Sequence, residues 1–156
     1  RETGDKKMID NWCSALLQNE YKCVHVGKFH VGAGGLRPSD FGFDGPDWPG
    51  FGGHWFNEDY IKYRENMGLS PEPEFSHCIE AHHNKPYSFK PLAAKLEGDF
   101  AGSLPGFLSA ETKKQMNELG GRLKHENKPF LMRTEFWGPH IPCCAPEPFH
   151  SMDKIE

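Results

Sequence analysis

No stretch of this chain approaches the ~20 consecutive apolar residues that a bilayer-crossing helix needs, so no transmembrane segment is expected. No basic run followed by an apolar stretch opens it, so a secretory leader is not expected within these residues. The chain starts at Arg1 and reaches its first methionine at Met8, which fits a fragment or a processed product and leaves the compartment open. Excess positive charge is also lacking: the formal charge is -4 and the isoelectric point is near 6.1. No general attraction to nucleic acid or to an anionic membrane follows, so nucleic acid is not an expected partner and any cationic site must be local. The cysteines Cys13, Cys23, Cys78, Cys143 and Cys144 are odd in number and lack C-x-x-C spacing. Neither a full disulfide framework nor a compact zinc site is indicated. Adjacent Cys143 and Cys144 are poor partners for one another, because disulfide geometry needs Cα atoms more than ~4 Å apart. The thiols are expected to be structural.

Glycine and proline are plentiful, with 17 Gly and 13 Pro in 156 residues. Their share exceeds the usual ~12% and argues for long ordered loops or a piece of a larger protein. The length suits one domain with a real core. From Asp5 to Asn19, Met8, Ile9, Trp12, Ala15, Leu16 and Leu17 recur at helical spacing. Tyr21 to Val26 reads as a short strand, with Tyr21, Cys23 and His25 at one parity and Lys22, Val24 and Val26 at the other. Helix followed by strand and glycine is half of an α/β unit, and ligands collect beyond the carboxyl ends of such strands. Lys28 and His30 stand there.

Gly32 to Asp40 is expected to be an ordered loop, followed by a Gly/aromatic stretch from Phe41 to Trp55 that is too aromatic for a linker. Asn57 is expected to cap a helix running to about Asn66 and stopped by Gly68. Ser70 to Lys85, with His77, His82 and His83, reads as a polar surface excursion, and no long element is expected between Tyr87 and Phe107. Ser109 is expected to cap a further helix that buries Met116 and Leu119 and ends near Glu126. Asn127-Lys128-Pro129 is a turn, Phe130 to Phe136 is the best strand candidate, and Ile141 to Glu156 shows no closing element.

Two corners carry chemistry. In Gly27-Lys28-Phe29-His30-Val31-Gly32 an ammonium and an imidazole stand two apart, while Phe29 points to the other side as an apolar anchor. An ammonium suits a tetrahedral oxyanion, and an imidazole donates a hydrogen bond or moves a proton. Taken alone, such a pair is more often a solvated lysine beside a packed histidine. In Phe136-Trp137-Gly138-Pro139-His140, Pro139 and Pro142 hold the main chain around His140 stiff. A rigidly held imidazole suits proton transfer to a leaving group, and it equally suits a turn cap. Asp40, Asp44, Asp47 and His54 are oxygen-rich or metal-binding candidates, but they miss the calcium-loop pattern. His77, His82 and His83 lack ligand spacing. Trp48, Phe51 and Trp55 fit core or pocket wall better than nucleic-acid stacking, since no basic groove accompanies them.

The two corners together resemble the sulfatase family of the alkaline-phosphatase-like superfamily. Tyr21 through Gly32 is similar to its Gly-Lys-Trp-His signature, with Glu20 where glycine is usual and Phe29 where tryptophan is. Lys128-Pro129-Phe130 through His140-Ile141-Pro142 is similar to its later strand and Pro-His turn. Asp40 to Asp44, Leu104-Pro105-Gly106 and Glu111-Thr112 also resemble segments lying between those motifs, so the likeness spans nearly the whole chain.

The resemblance implies an α/β fold: part of an alkaline-phosphatase-like sandwich with a mostly parallel central sheet, incomplete at both ends. Residues 1–156 would then be an internal portion of one catalytic domain. It implies hydrolysis of a sulfate ester, small-molecule or glycan, in which Lys28 binds the sulfate and the nucleophile's oxygens. His30 orients or deprotonates a formylglycine hydrate, and His140 holds the bridging oxygen and acts as acid for the departing alcohol. The family's C/S-x-P-S/A-R nucleophile motif has no counterpart here, Cys144-Ala145-Pro146-Glu147-Pro148 being nearest and lacking the arginine. Formylglycine and the ligands of a divalent cation, Ca2+ by resemblance, are therefore expected outside this segment, and the isolated chain is expected to be inactive. A phosphodiesterase or phosphonate monoester hydrolase of the same superfamily is the alternative enzyme. A non-catalytic structural or anion-binding module is the alternative of a different kind.

Overall fold

A computed structural model of the chain describes residues 20–31, 36–48, 55–79, 92–140 and 142–152. The helix expected over Asp5 to Asn19, the glycines at 32–35, Phe51, His54, His82 and His83 lie outside the described residues. Within them the architecture is mixed α/β, with two small, partly parallel sheets in place of the single central sheet expected.

Strand β1, Lys22–Gly27, is buried along nearly its whole length. Its alternation sorts the core as expected. Val24 and Val26 join Trp48, Tyr60, Phe107 and Leu108 on one side, whereas Cys23 meets Phe29 and Phe43 on the other. β1 pairs in parallel with β4, Phe130–Glu135, in a register running from Lys22 opposite Phe130 to Gly27 opposite Glu135. A parallel pair needs a long crossover, and helix α2, Leu104–Glu126, lies on that connection and packs against both strands. Thr112 on α2 shares a hydrogen bond with Thr134 on β4 at 3.2 Å. Met132, at the same parity as Thr134, packs on the core cluster beneath α2. The other edge of β1 is met by Asp44, whose N–H donates to the Cys23 carbonyl at 2.8 Å and whose carbonyl accepts from His25 N–H at 2.9 Å.

Helix α1, Glu58–Asn66, starts where expected. The Asn57 side chain accepts from the N–H groups of Asp59 and Tyr60 at 2.8 and 3.2 Å, and Gly68 takes φ 73° just past its end. Tyr60 and Arg64, one turn apart and buried, both donate to the Gly102 carbonyl at 2.9 and 2.6 Å, and Arg64 Nε adds Ser70 O at 2.7 Å. Those bonds tie α1 to the start of α2.

The start of α2 corrects the sequence reading. The helix begins at Leu104 rather than after Ser109. Ser103 Oγ accepts from the Gly106 N–H at 3.1 Å, which makes Ser103 the capping residue. Pro105 is compatible with this start, because proline in the first turn of a helix loses no hydrogen bond. Gly106 is there for space, since a Cβ at that position would lie 2.2 Å from the Phe100 carbonyl oxygen. Ser109 Oγ instead bonds back to the Pro105 carbonyl at 2.8 Å. Leu119 is buried as expected, but Met116 is 52% exposed.

Three short strands were not expected. β2, Phe75–Ile79, lies in the presumed surface excursion and pairs antiparallel with β3, Ala93–Leu96. β3 pairs in parallel with β5, Cys143–Ala145, beyond which a single 3-10 turn spans Phe149–Ser151. Pro38–Phe41, expected as loop, is likewise one 3-10 turn.

The cap assignment makes a differential prediction for urea denaturation. Ser103→Ala should lose about 1 kcal/mol of stability. Ser109→Ala should stay within about 0.5 kcal/mol of the parent, because it only exchanges a back-bonded serine for a better helix former. Equal losses in the two variants would contradict a helix start at Leu104.

Candidate functional site

The carboxyl ends of β1 and β4 lie side by side because the strands are parallel and in register. Gly27 is the residue that lets them close up. Its φ is 103°, and a Cβ there would lie 2.0 Å from the Glu135 carbonyl oxygen. That same carbonyl accepts from the Lys28 N–H at 2.9 Å. Beyond Gly27 the chain sends Phe29 inward, 5% exposed, where it meets the rings of Phe41 and Phe43. Its neighbours Lys28 and His30 line a cavity of about 330 Å³ that is walled on the other side by Arg133, Glu135, Trp137 and His140. The structure therefore brings the three residues singled out from the sequence, Lys28, His30 and His140, to one cavity.

Lys28 is half-buried, whereas His30 and His140 are exposed at the cavity mouth. The Lys28 Nζ lies 4.8 Å from the centroid of the Trp137 ring, a cation–π distance. The turn after β4 is closed by His140 N–H donating to the Trp137 carbonyl at 3.0 Å, and the two rings stand 5.8 Å apart at 89°. Sequence reasoning missed Arg133 and Glu135. Arg133 Nε meets Glu135 Oε1 at 2.7 Å, so each charge is compensated within the cavity wall. The signal was available: opposite charges two apart on a strand share a face, opposite to the one that Met132 and Thr134 turn towards α2.

His25 lies beneath this site. It is fully buried, with its ring 5.1 Å from that of Phe29 and 5.6 Å from that of Phe43. Neither ring nitrogen has a hydrogen-bond partner among the described residues. Burial holds its pKa below the usual histidine value and the Arg133 guanidinium adds to this, while main-chain groups of Gly27 and Lys28 and the Glu135 carboxylate pull partly the other way. Burial and the Arg133 charge thus favour the neutral form of this imidazole in the folded chain.

Other candidates are taken up by structure. The Asp47 carboxylate accepts from Ser39 N–H at 3.0 Å and Ser39 Oγ at 2.8 Å. Asp44 pairs with Lys22 at 2.5 Å, and Asp40 accepts from Arg37 N–H at 3.0 Å. No group of three or more His, Cys, Asp or Glu side chains among the described residues is placed to hold a metal ion, so these residues do not fit a calcium site. Cys23, Cys78, Cys143 and Cys144 are free thiols, and burial pushes the Cys144 pKa up to about 11, which keeps it protonated and unreactive. Trp48 belongs to the core, and Trp55 packs against it partly buried.

A larger cavity of about 640 Å³ lies between α1 and α2, floored by Trp48, Tyr63 and Phe107. Two pairs of its rim charges are matched, Lys114 with Glu111 at 3.2 Å and Lys22 with Asp44, and it gathers no histidine from the described residues. The smaller cavity is the one that gathers Lys28, His30 and His140. Among the described residues, no helix is long and apolar enough to cross a membrane. Compared with known protein families, with curated proteins and with solved structures, the chain matches none.

The neutral burial of His25 sets the sign of a pH effect. Its folded pKa lies below the unfolded value, so below about pH 6.5 the unfolded chain binds the extra proton and stability falls with acidity. Replacing His25 by methionine should remove that component, so the urea midpoint of His25→Met should gain on the parent's between pH 7.5 and pH 5. Parallel pH profiles for the two proteins would rule out a neutral buried imidazole.

Proposed function

We propose that this chain is part of a sulfatase, a sulfuric ester hydrolase of the alkaline-phosphatase-like type, and that the cavity between the two corners is its sulfate subsite. The observation that supports this reading is the meeting of Lys28, His30 and His140 on one cavity, from motifs more than a hundred residues apart in the chain. The parallel β1–β4 pair with α2 on its crossover supports only the coarser part of the expectation, a mixed α/β fold with parallel pairing.

In this reading the Lys28 ammonium faces the non-bridging oxygens of the sulfuryl group, where its charge offsets theirs in a partly dry recess. His140, on the opposite wall, gives a proton to the bridging oxygen as the S–O bond breaks and the alcohol departs. His30, at the mouth, orients the attacking group. That group is a formylglycine supplied from outside this segment, and in the same reading the divalent cation's ligands also lie outside it, as the resemblance implies. Net hydrolysis consumes one water and yields the alcohol and hydrogen sulfate. Arg133 and Glu135 compensate one another, which leaves Lys28 as the lysine or arginine of the wall with no ion pair among the described residues.

Titration of the chain with inorganic sulfate, followed by NMR, tests the subsite. Resonances of Lys28, His30 and His140 should move together, and Lys28→Ala should weaken binding about tenfold or more, as expected for a lost hydrogen bond to a charged group. With a chromogenic aryl sulfate and calcium, turnover should not exceed that of a His140→Ala control, because the attacking group is missing. Sulfate that leaves those three residues unmoved, or turnover above the control, would overturn the reading.

A further inference from the structure

Trp137 occupies the junction between the core and the cavity. Its indole packs against the cluster containing Val24, Val26 and Phe107, and its remaining surface lines the 330 Å³ cavity. The Lys28 Nζ stands 4.8 Å from its ring centroid, and the His140 ring stands perpendicular to it at 5.8 Å. His140 is also held to the same residue by its main-chain N–H, 3.0 Å from the Trp137 carbonyl. Two of the three side chains at the site therefore rest on one ring that is itself anchored in the core.

A lysine stem has many rotamers, and a hydrated ammonium without a seat does not stay on a cavity wall. A carboxylate would seat it but cancel its charge, as Glu135 does for Arg133 in the same wall. An aromatic face attracts the cation through its quadrupole and leaves the net positive charge in place for an anion. The perpendicular arrangement with His140 restricts the imidazole as edge-to-face ring pairs do.

We propose that Trp137 is a positioning residue: its π face seats the Lys28 ammonium without neutralising it, and its ring fixes the orientation of the His140 imidazole. The identity of the anion rests on the sulfate-ester reading above. The seating itself rests on geometry.

The test uses the full chain as parent, Trp137→Phe and Trp137→Leu, with two NMR readouts and a urea midpoint. In the parent, the Lys28 Hε protons should be displaced upfield by the indole ring current, with the displacement partly kept in Trp137→Phe and gone in Trp137→Leu. The dissociation constant for inorganic sulfate should rise about 3- to 30-fold in Trp137→Leu, the range set by cation–π energies. Trp137→Phe should stay within about threefold of the parent, because it keeps a π face. The urea midpoints of both variants should fall together, since both lose indole packing, so a purely structural role predicts equal sulfate affinities for the pair. Lys28 Hε protons at random-coil positions in the parent, or equal sulfate affinities in Phe and Leu variants, would overturn the proposal. A parent that shows the ring-current displacement but binds no sulfate would support the seating while refuting the sulfate reading.

Discussion

The close approach of β1 to β4 at Gly27 is the constraint from which the candidate site follows. A carbonyl oxygen stands where any Cβ would be, so the two strands come together at their carboxyl ends only because residue 27 has no side chain. Parallel pairing then places the chain segments leaving both strands on the same side. With antiparallel pairing, Lys28 and His140 would emerge at opposite ends of the sheet. The crossover helix α2 fixes the direction of β4, and the Tyr60 and Arg64 bonds to Gly102 fix the start of α2. The placement of the cavity residues thus depends on contacts spread through the whole described core.

Charge is handled differently at successive depths of this region. At the base, His25 is kept neutral by burial among aromatic rings. In the wall, Arg133 and Glu135 are both charged and satisfy each other. At the surface of the cavity, the Lys28 Nζ lies 4.8 Å from the centroid of the Trp137 ring. A protonated His25 close beneath Lys28 and Arg133 would add like charge to a poorly solvated place, which is why burial and Arg133 act on it in the same direction. The result is a local cationic recess in a chain whose formal charge is -4.

Several elements were legible because their signals are local. The alternation of β1, the Asn57 cap, the Gly68 stop and the strand from Phe130 each depend on a few adjacent residues. The start of α2 was not, because Ser103 competes with Ser109 as a cap. Only the packing of Gly106 against the Phe100 carbonyl decides between them. Strands β2, β3 and β5 escaped notice because they are only three to five residues long, too short for a hydrophobic alternation to stand out. Asp40, Asp44 and Asp47 looked like ligands in the sequence, yet each carboxylate is committed to main-chain or side-chain partners within its own loop or on β1.

The sequence by itself determined which residues carry chemistry: an ammonium and an imidazole two apart after one strand, and a stiffly held imidazole after another. Those properties belong to side-chain type and to proline and glycine at fixed offsets, and they hold wherever the segments lie. The tertiary structure alone decided that the two corners share a cavity, because strand direction and register are set by long-range packing of α2 and by one glycine–carbonyl contact. It also decided that Arg133, Glu135 and Trp137 join them. Whether a charge is compensated, seated or left to face a ligand depends on neighbours that are distant in the chain.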